Sequence, residues 1–226
     1  MLQNAFQKFY GGCMMVVRQE GETVFFLGTA FLVHGEGYLL TVAHILPKEG
    51  RLMVVPNQQG EEFQPTVLEQ VAPLPVHVAR IDVEHDLALL KLEHSLDISL
   101  PDHFLGTADS IAPGTSVMAL GFSFGLQQIH SLVALNAIVC CKVISRNNSK
   151  LLLFDSMVHD GDRGGPLVSV EEGVVVGIIN GRFNPVDASR DYTDGSQTLS
   201  VNTNISYAVA IDYATALFEA EGLTQS

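Results

Sequence analysis

Asp155-Ser-Met-Val-His-Asp-Gly-Asp-Arg-Gly-Gly-Pro-Leu-Val168 is the stretch on which the fold turns. Glycines 161, 164 and 165 with Pro166 rule out a continuing helix and mark a tight turn, since glycine reaches left-handed backbone at no steric cost. The residues that follow are apolar on both sides of Glu171-Glu-Gly173, which reads as a strand pair closed by a hairpin turn.

The same grammar holds outward in both directions. Short runs of Val, Leu, Ile and Phe, separated by Gly, Pro, Asp and Asn, predict strands over Val24–Val33, Tyr38–Val42, Leu52–Val55, Leu87–Leu92, Val117–Leu120, Leu132–Val143, Leu151–Phe154 and Val174–Ile179. Ile205–Ile211 alternates bulky with small residues as a half-buried strand should, and Gly35-Glu-Gly37 writes a second hairpin turn. One helix is predicted, Tyr213–Ala220 within 212–221, with Asp212 as its N-cap. Many evenly spaced strands with a single terminal helix imply an all-β protein. The segment Ser95–Gly114, poor in strand pattern and carrying Pro101 and Pro113, divides the strands into two sets, about 10–94 and 115–211. The expectation is two packed β-barrels joined by a crossing linker within one domain spanning 1–226.

Two upstream segments complete a chemical pattern. Tyr38-Leu-Leu-Thr-Val-Ala-His44 ends a strand on a histidine, and Asp86-Leu-Ala-Leu-Leu-Lys91 starts a strand from a carboxylate. A base, a carboxylate to orient it and a turn exposing backbone N–H groups are the parts of an acyl-transfer site. Their order in the chain, His44, Asp86 and then the turn at 161–165, resembles the chymotrypsin-like (trypsin-like) serine proteases. Those enzymes carry Ala-His after a strand, Asp-Leu-Ala-Leu-Leu at a strand start, and Gly-Asp-Ser-Gly-Gly-Pro. The chain is most similar to the high-temperature-requirement (HtrA/Deg) branch, through Asp155 eight residues before the nucleophile position and through the final strand and short helix. The resemblance implies two six-stranded barrels, His44 as base and Asp86 as its orienting acid. It also implies an oxyanion hole from the Gly161, Asp162 and Arg163 backbone, and a pocket for the residue before the cut at Met157 and Val158. Such a pocket, apolar here, takes a small or medium apolar side chain. Core packing of the same two residues is the plain alternative.

One position departs from the pattern. Arg163 stands where the family carries its nucleophilic serine. A guanidinium stays protonated and cannot attack a carbonyl, so His44 has no hydroxyl to deprotonate. The expectation is a pseudoprotease that binds a peptide or protein partner. The alternatives are a serine endopeptidase cleaving after apolar residues, seen as an inactive variant, and a scaffold or regulatory subunit. If the nucleophile alone is missing, Arg163→Ser should restore hydrolysis. Arg163 is also expected to find a carboxylate, Asp86, Asp160 or Asp162, and to fill the cleft.

Composition narrows the rest. Of 226 residues 47% are hydrophobic and 16% charged, so the chain can bury a core. Acids outnumber bases 25 to 12, for a net charge of −13. That balance, with no local Lys/Arg cluster, argues against nucleic acid and anionic membrane surfaces as partners. No apolar run approaches the roughly 20 residues of a membrane span. Three cysteines, two of them the neighbours Cys140 and Cys141, read as free thiols in a reducing compartment. With no basic-then-apolar leader at the N-terminus, the expected location is cytoplasmic. His85, His94 and His103 are spaced too widely for a compact ligand set and read as solvated loop histidines, so neither metal nor cofactor is expected. Phe6, Phe9 and Tyr10 form an N-terminal aromatic cluster. Related proteases assemble through such rings, which implies a homo-oligomer, yet the rings can equally cover a barrel end. The polar stretch Asn184–Thr203 is expected to be the most mobile internal segment and to border the cleft.

Overall fold

The computed structural model describes residues 1–58, 63, 65–67, 71–94, 98–184 and 203–223. Most of Asn184–Thr203 therefore lies outside the described residues. Twelve strands form two closed antiparallel barrels of six. The first contains β1 (Cys13–Glu20), β2 (Thr23–His34), β3 (Tyr38–Val42), β4 (Arg51–Pro56), β5 (Leu74–Asp82) and β6 (Leu87–Leu92), ordered β1-β2-β3-β6-β5-β4. The second contains β7 (Ser116–Gly121), β8 (Val133–Ile144), β9 (Lys150–Phe154), β10 (Pro166–Ser169), β11 (Val174–Arg182) and β12 (Ser206–Ala210), ordered β10-β11-β12-β9-β8-β7. Closure pairs each of these strands on both sides, so among the described residues neither sheet has an open edge.

Both expected hairpin turns are present. Gly37 (φ +84°) and Gly173 (φ +64°) supply the left-handed residue that each needs. Two strands have no counterpart among the runs read from the sequence. β1 passes from a continuous apolar half to Arg18-Gln-Glu20, and β5 carries Pro75, His77 and Arg80. Neither shows a clean period of two. The strand pair read on either side of Glu171-Glu-Gly173 is β10 and β11.

The helices differ from the sequence reading in two ways. A helix α1 (Leu2–Phe9) was not expected; it buries Ala5 and Phe9, one turn apart. Phe6 and Tyr10 stack on each other at 5.3 Å and lean on the same core. The C-terminal helix α2 (Ala214–Ala220) follows a 3-10 turn, and Asp212 does not cap it. The Asp212 carboxylate instead accepts from the Thr107 hydroxyl and from the Ala108 N–H (2.9 Å), which pins the inter-barrel linker to the helix. That linker is less irregular than expected. Leu105 bridges to Val175 in parallel, Phe104 and Ile111 are buried, and Lys142 Nζ donates to three linker carbonyls.

The core runs through both barrels and across their interface, with β1–β4 side chains packed into the same cluster as Met118, Leu120, Phe122 and Ile178. This continuous interface positions the site, because the base and the Gly-rich turn come from different barrels. All three cysteines are free, and burial pushes the Cys13 thiol up to about 12.

Candidate active site

In the N-terminal barrel β3 ends in a 3-10 turn, Ala43–Ile45, and β6 begins directly after Asp86. Three bonds clip the two segments together. Ala43 N–H donates to the Asp86 carbonyl (3.0 Å), His44 N–H to Asp86 Oδ1 (2.8 Å), and His44 Nδ1 to Asp86 Oδ2 (2.6 Å). A ring nitrogen bound to a carboxylate must carry the proton, so His44 presents Nε2 as its basic atom. Asp86 sits in left-handed backbone (φ +57°), a conformation disfavoured for non-glycine residues and kept here by the bonds on both sides. Burial pushes its carboxyl up. The His44 ring, the Asn180 amide and the His44 backbone N–H outweigh that and hold it below the usual carboxylate range.

Asn180 is a member of the site that sequence reasoning missed. Its Nδ2 donates to Asp86 Oδ2 (2.7 Å) across the barrel interface, and its Oδ1 accepts from the Tyr207 hydroxyl (2.5 Å). The signal was a lone amide directly after the apolar run Val174–Ile179, still on β11.

The Gly-rich turn meets this pair through Thr29, which is fully buried on β2. Its N–H donates to the Arg163 carbonyl (2.8 Å), its hydroxyl donates to the Gly161 carbonyl (2.7 Å) and accepts from Phe122 N–H (3.0 Å), and its carbonyl accepts from the Thr41 hydroxyl (2.7 Å). Beside it, a Cβ placed on Gly28 would meet both Ile45, next to His44, and the Arg163 carbonyl within 2.9 Å. Gly164 has φ +86°, and a Cβ there would stand 2.1 Å from the Thr29 carbonyl and the Thr41 hydroxyl, so only glycine fits.

The turn itself departs from the expected oxyanion hole. Residues Asp160–Asp162 form a 3-10 turn in which Asp162 N–H donates to the His159 carbonyl (3.0 Å) and Arg163 N–H points at the Asp160 carbonyl (3.4 Å). Two of the three backbone donors expected to face a substrate oxygen are turned into the loop. Asp162 holds that shape. It is 1% exposed, accepts from the Ser123 hydroxyl at Oδ1 (2.6 Å) and from His159 N–H at Oδ2 (2.8 Å), and burial raises its carboxyl against these two bonds and the His159 charge.

Arg163 finds Asp160 rather than Asp86 or Asp162. Its Nη2 lies 2.8 Å from Asp160 Oδ1, with 36% of the arginine and 65% of the aspartate side chain exposed. The guanidinium runs along β11, its Nε 3.7 Å from where a Cβ of Gly181 would be. Of the two pocket residues, Met157 is exposed and Val158 is core, 2% accessible. Arg182 Nε donates to the Val158 carbonyl (3.1 Å), bridging the segment 155–159 to β11. His85 is not solvated: its Nδ1 pairs with Asp82 (2.6 Å) and its ring stacks on Tyr213 at 3.6 Å. Among the described residues, no group of three His, Cys, Asp or Glu side chains converges as metal ligands, and no helix is long and apolar enough to cross a membrane.

Comparison with known proteins places this geometry. Residues 28–178 match the family of trypsin-like peptidase domains. Serine protease HTRA4 of Mus musculus is 29% identical over 188 residues, 82% of this chain and 32% of that protein. A probable periplasmic serine endoprotease DegP-like of Pseudomonas fulva (strain 12-X) is 29% identical over 194 residues, 84% of this chain and 34% of that protein. The chain thus spans about a third of the length of these curated relatives. Among solved structures, the HtrA-type protease AlgW with decapeptide superposes with a TM-score of 0.71 at 19% identity, over 97% of this chain and 67% of that one. The active form of the Rv3671c protease from M. tuberculosis does so at 0.69 and 17%, over 98% and 85%.

Proposed function

The chain belongs to the trypsin-like peptidase family, and we propose that it is a proteolytically inactive member that binds a peptide or protein segment in the cleft between its barrels. The observation that carries this reading is Arg163. A guanidinium has no lone pair to offer a carbonyl at any accessible pH, and His44, although oriented by Asp86 and Asn180, has no hydroxyl to activate. In this mechanism the loss of a triad member leaves only about 10³–10⁴ of rate over water, from the oxyanion hole and binding. The inward-turned N–H groups of Asp162 and Arg163 weaken even that remainder.

The test is labelling with a fluorophosphonate probe, followed by binding of a peptide library to the unlabelled protein. No labelling with saturable peptide binding is the expected pair of results. Labelling would overturn inactivity, and no binding would favour a scaffold whose cleft is irrelevant. A second reading, an endopeptidase cleaving after apolar residues, draws on the intact His44–Asp86 pair and needs a hydroxyl from elsewhere. Ser123, the nearby buried candidate, already donates its proton to Asp162.

A further inference from the structure

We propose that the cleft receives the free C-terminal carboxylate of a peptide, clamped by Arg163 with Arg182 beside it; this rests on reading the cleft as a peptide-binding site. In a chain of net charge −13, seven of the twelve Lys and Arg residues are engaged away from the cleft. Arg18, Arg51, Arg80, Lys91 and Lys150 each pair with a carboxylate, and Lys8 and Lys142 are held on backbone carbonyls. The cleft is different. Arg163 commits one nitrogen to Asp160, in a pair so exposed that it exchanges partners readily. Arg182 commits Nε to the Val158 carbonyl, and its two terminal nitrogens have no partner among the described residues. Arg163 reaches the end of β11, its Nε 3.7 Å from where a Cβ of Gly181 would be, and the next residue, Arg182, lines a groove of about 900 Å3 together with Arg146, Asn180, Glu84 and Asp86.

An internal stretch of polypeptide passing Arg163 offers only neutral carbonyls and leaves the planar fork of donors partly unsatisfied. A chain end offers a carboxylate, whose two oxygens match that fork. The position fits the chemistry, because residue 163 stands where the resembled enzymes carry the nucleophile from which a new carboxylate is released. Three acids bear on this space, Glu84 and Asp86 lining the groove and Asp160 on Arg163. Asp86 is saturated by His44 and Asn180 and does not compete. Asp160 does compete, since an incoming carboxylate must take its place on Arg163.

The experiment uses the full chain and a fluorescein-labelled pool of random-sequence hexapeptides, prepared once as free acids and once as C-terminal amides, with anisotropy as the readout at low salt. The free acids are expected to bind about tenfold or more tightly than the amides. Arg163→Ala should bring the acids down to the amides, and Arg163→Lys should keep part of the difference. Asp160→Asn should tighten the acids several-fold and leave the amides unchanged, an effect opposite in sign to that of a damaged fold. Equal affinity for acids and amides overturns the carboxylate clamp and leaves peptide binding standing. An amidated pool ending in Glu that binds as well as the acids overturns the chain-end assignment. No binding by any pool overturns both readings.

Discussion

In the N-terminal barrel the base and its carboxylate are held by three direct bonds between neighbouring turns and a fourth from Asn180 across the interface. In the C-terminal barrel the turn that should carry the nucleophile has an arginine in its place, and its Asp162 and Arg163 N–H groups are directed into the loop. The difference follows from what each half requires. The bonds that orient His44 also satisfy backbone groups where β3 ends and β6 begins, so they contribute to the fold whether or not a reaction occurs. An oxyanion hole asks the opposite: N–H groups must wait unpaired for a substrate, and a turn released from that demand pairs them internally. In a site divided between two barrels, the half that holds His44 and Asp86 therefore stays in register whatever stands in the other.

The largest expected effect breaks the joint between the two regions. Gly164→Ala places a methyl 2.1 Å from two oxygens at positive φ, and the expected loss is about 4 kcal/mol or more in urea denaturation, or no folded protein at all. A mild loss would mean that the turn is not locked against β2. Next is Thr29→Val, which keeps the volume but strands the Gly161 carbonyl and the Phe122 N–H in a buried place. A cost of about 2–4 kcal/mol is expected, in thermal and urea unfolding alike.

Arg163→Ser separates loss of one residue from loss of the whole half-site. Because the donors point inward, this variant is expected to label with a fluorophosphonate at no more than about a hundredth of the rate of an intact site, the usual cost of a lost oxyanion donor. Fast labelling, abolished again by adding His44→Ala, would show that the turn opens unaided and that the nucleophile was all that was missing.

The smallest effect is in pH. Asp86 is held low, so its share of stability is complete above the unfolded aspartate value of about 3.9 and is lost as pH falls through its lower folded value. Asp162 is held high, so its share is complete below about 3.9 and is lost as pH rises through its higher folded value. Asp86→Asn should flatten the stability profile on the acid side, and Asp162→Asn should raise stability toward neutral pH relative to the parent. Same-sign changes in urea unfolding at pH 3 and pH 7 would erase the contrast between the two barrels.

Much of this was legible before any coordinates. The strands that alternate or run apolar between turn residues, such as Tyr38–Val42 and Leu87–Leu92, match β3 and β6 residue for residue. β1, β5 and α1 were not legible, because their polarity is set by what packs on them. Pro75 sits on a strand the barrel still closes, and the apolar face of α1 shows only against the core it packs on. His85 read as a solvated histidine because nothing in Glu84-His85-Asp86 announces that Tyr213 will lie flat against it.

Composition and order along the chain determined the double barrel, the placing of His44 and Asp86 at strand ends, and the absence of a nucleophile at residue 163; each is a property of residue type or local pattern. Only the tertiary structure decided that Asn180 steadies Asp86, that Thr29 ties the turn to the opposite barrel, and that Asp162 with Ser123 folds the turn inward. Those partners stand 94, 132 and 39 residues apart, measured from Asn180 to Asp86, Thr29 to Gly161 and Ser123 to Asp162. A hydrogen bond over such a separation exists because two barrels pack, and no window of sequence contains both of its ends.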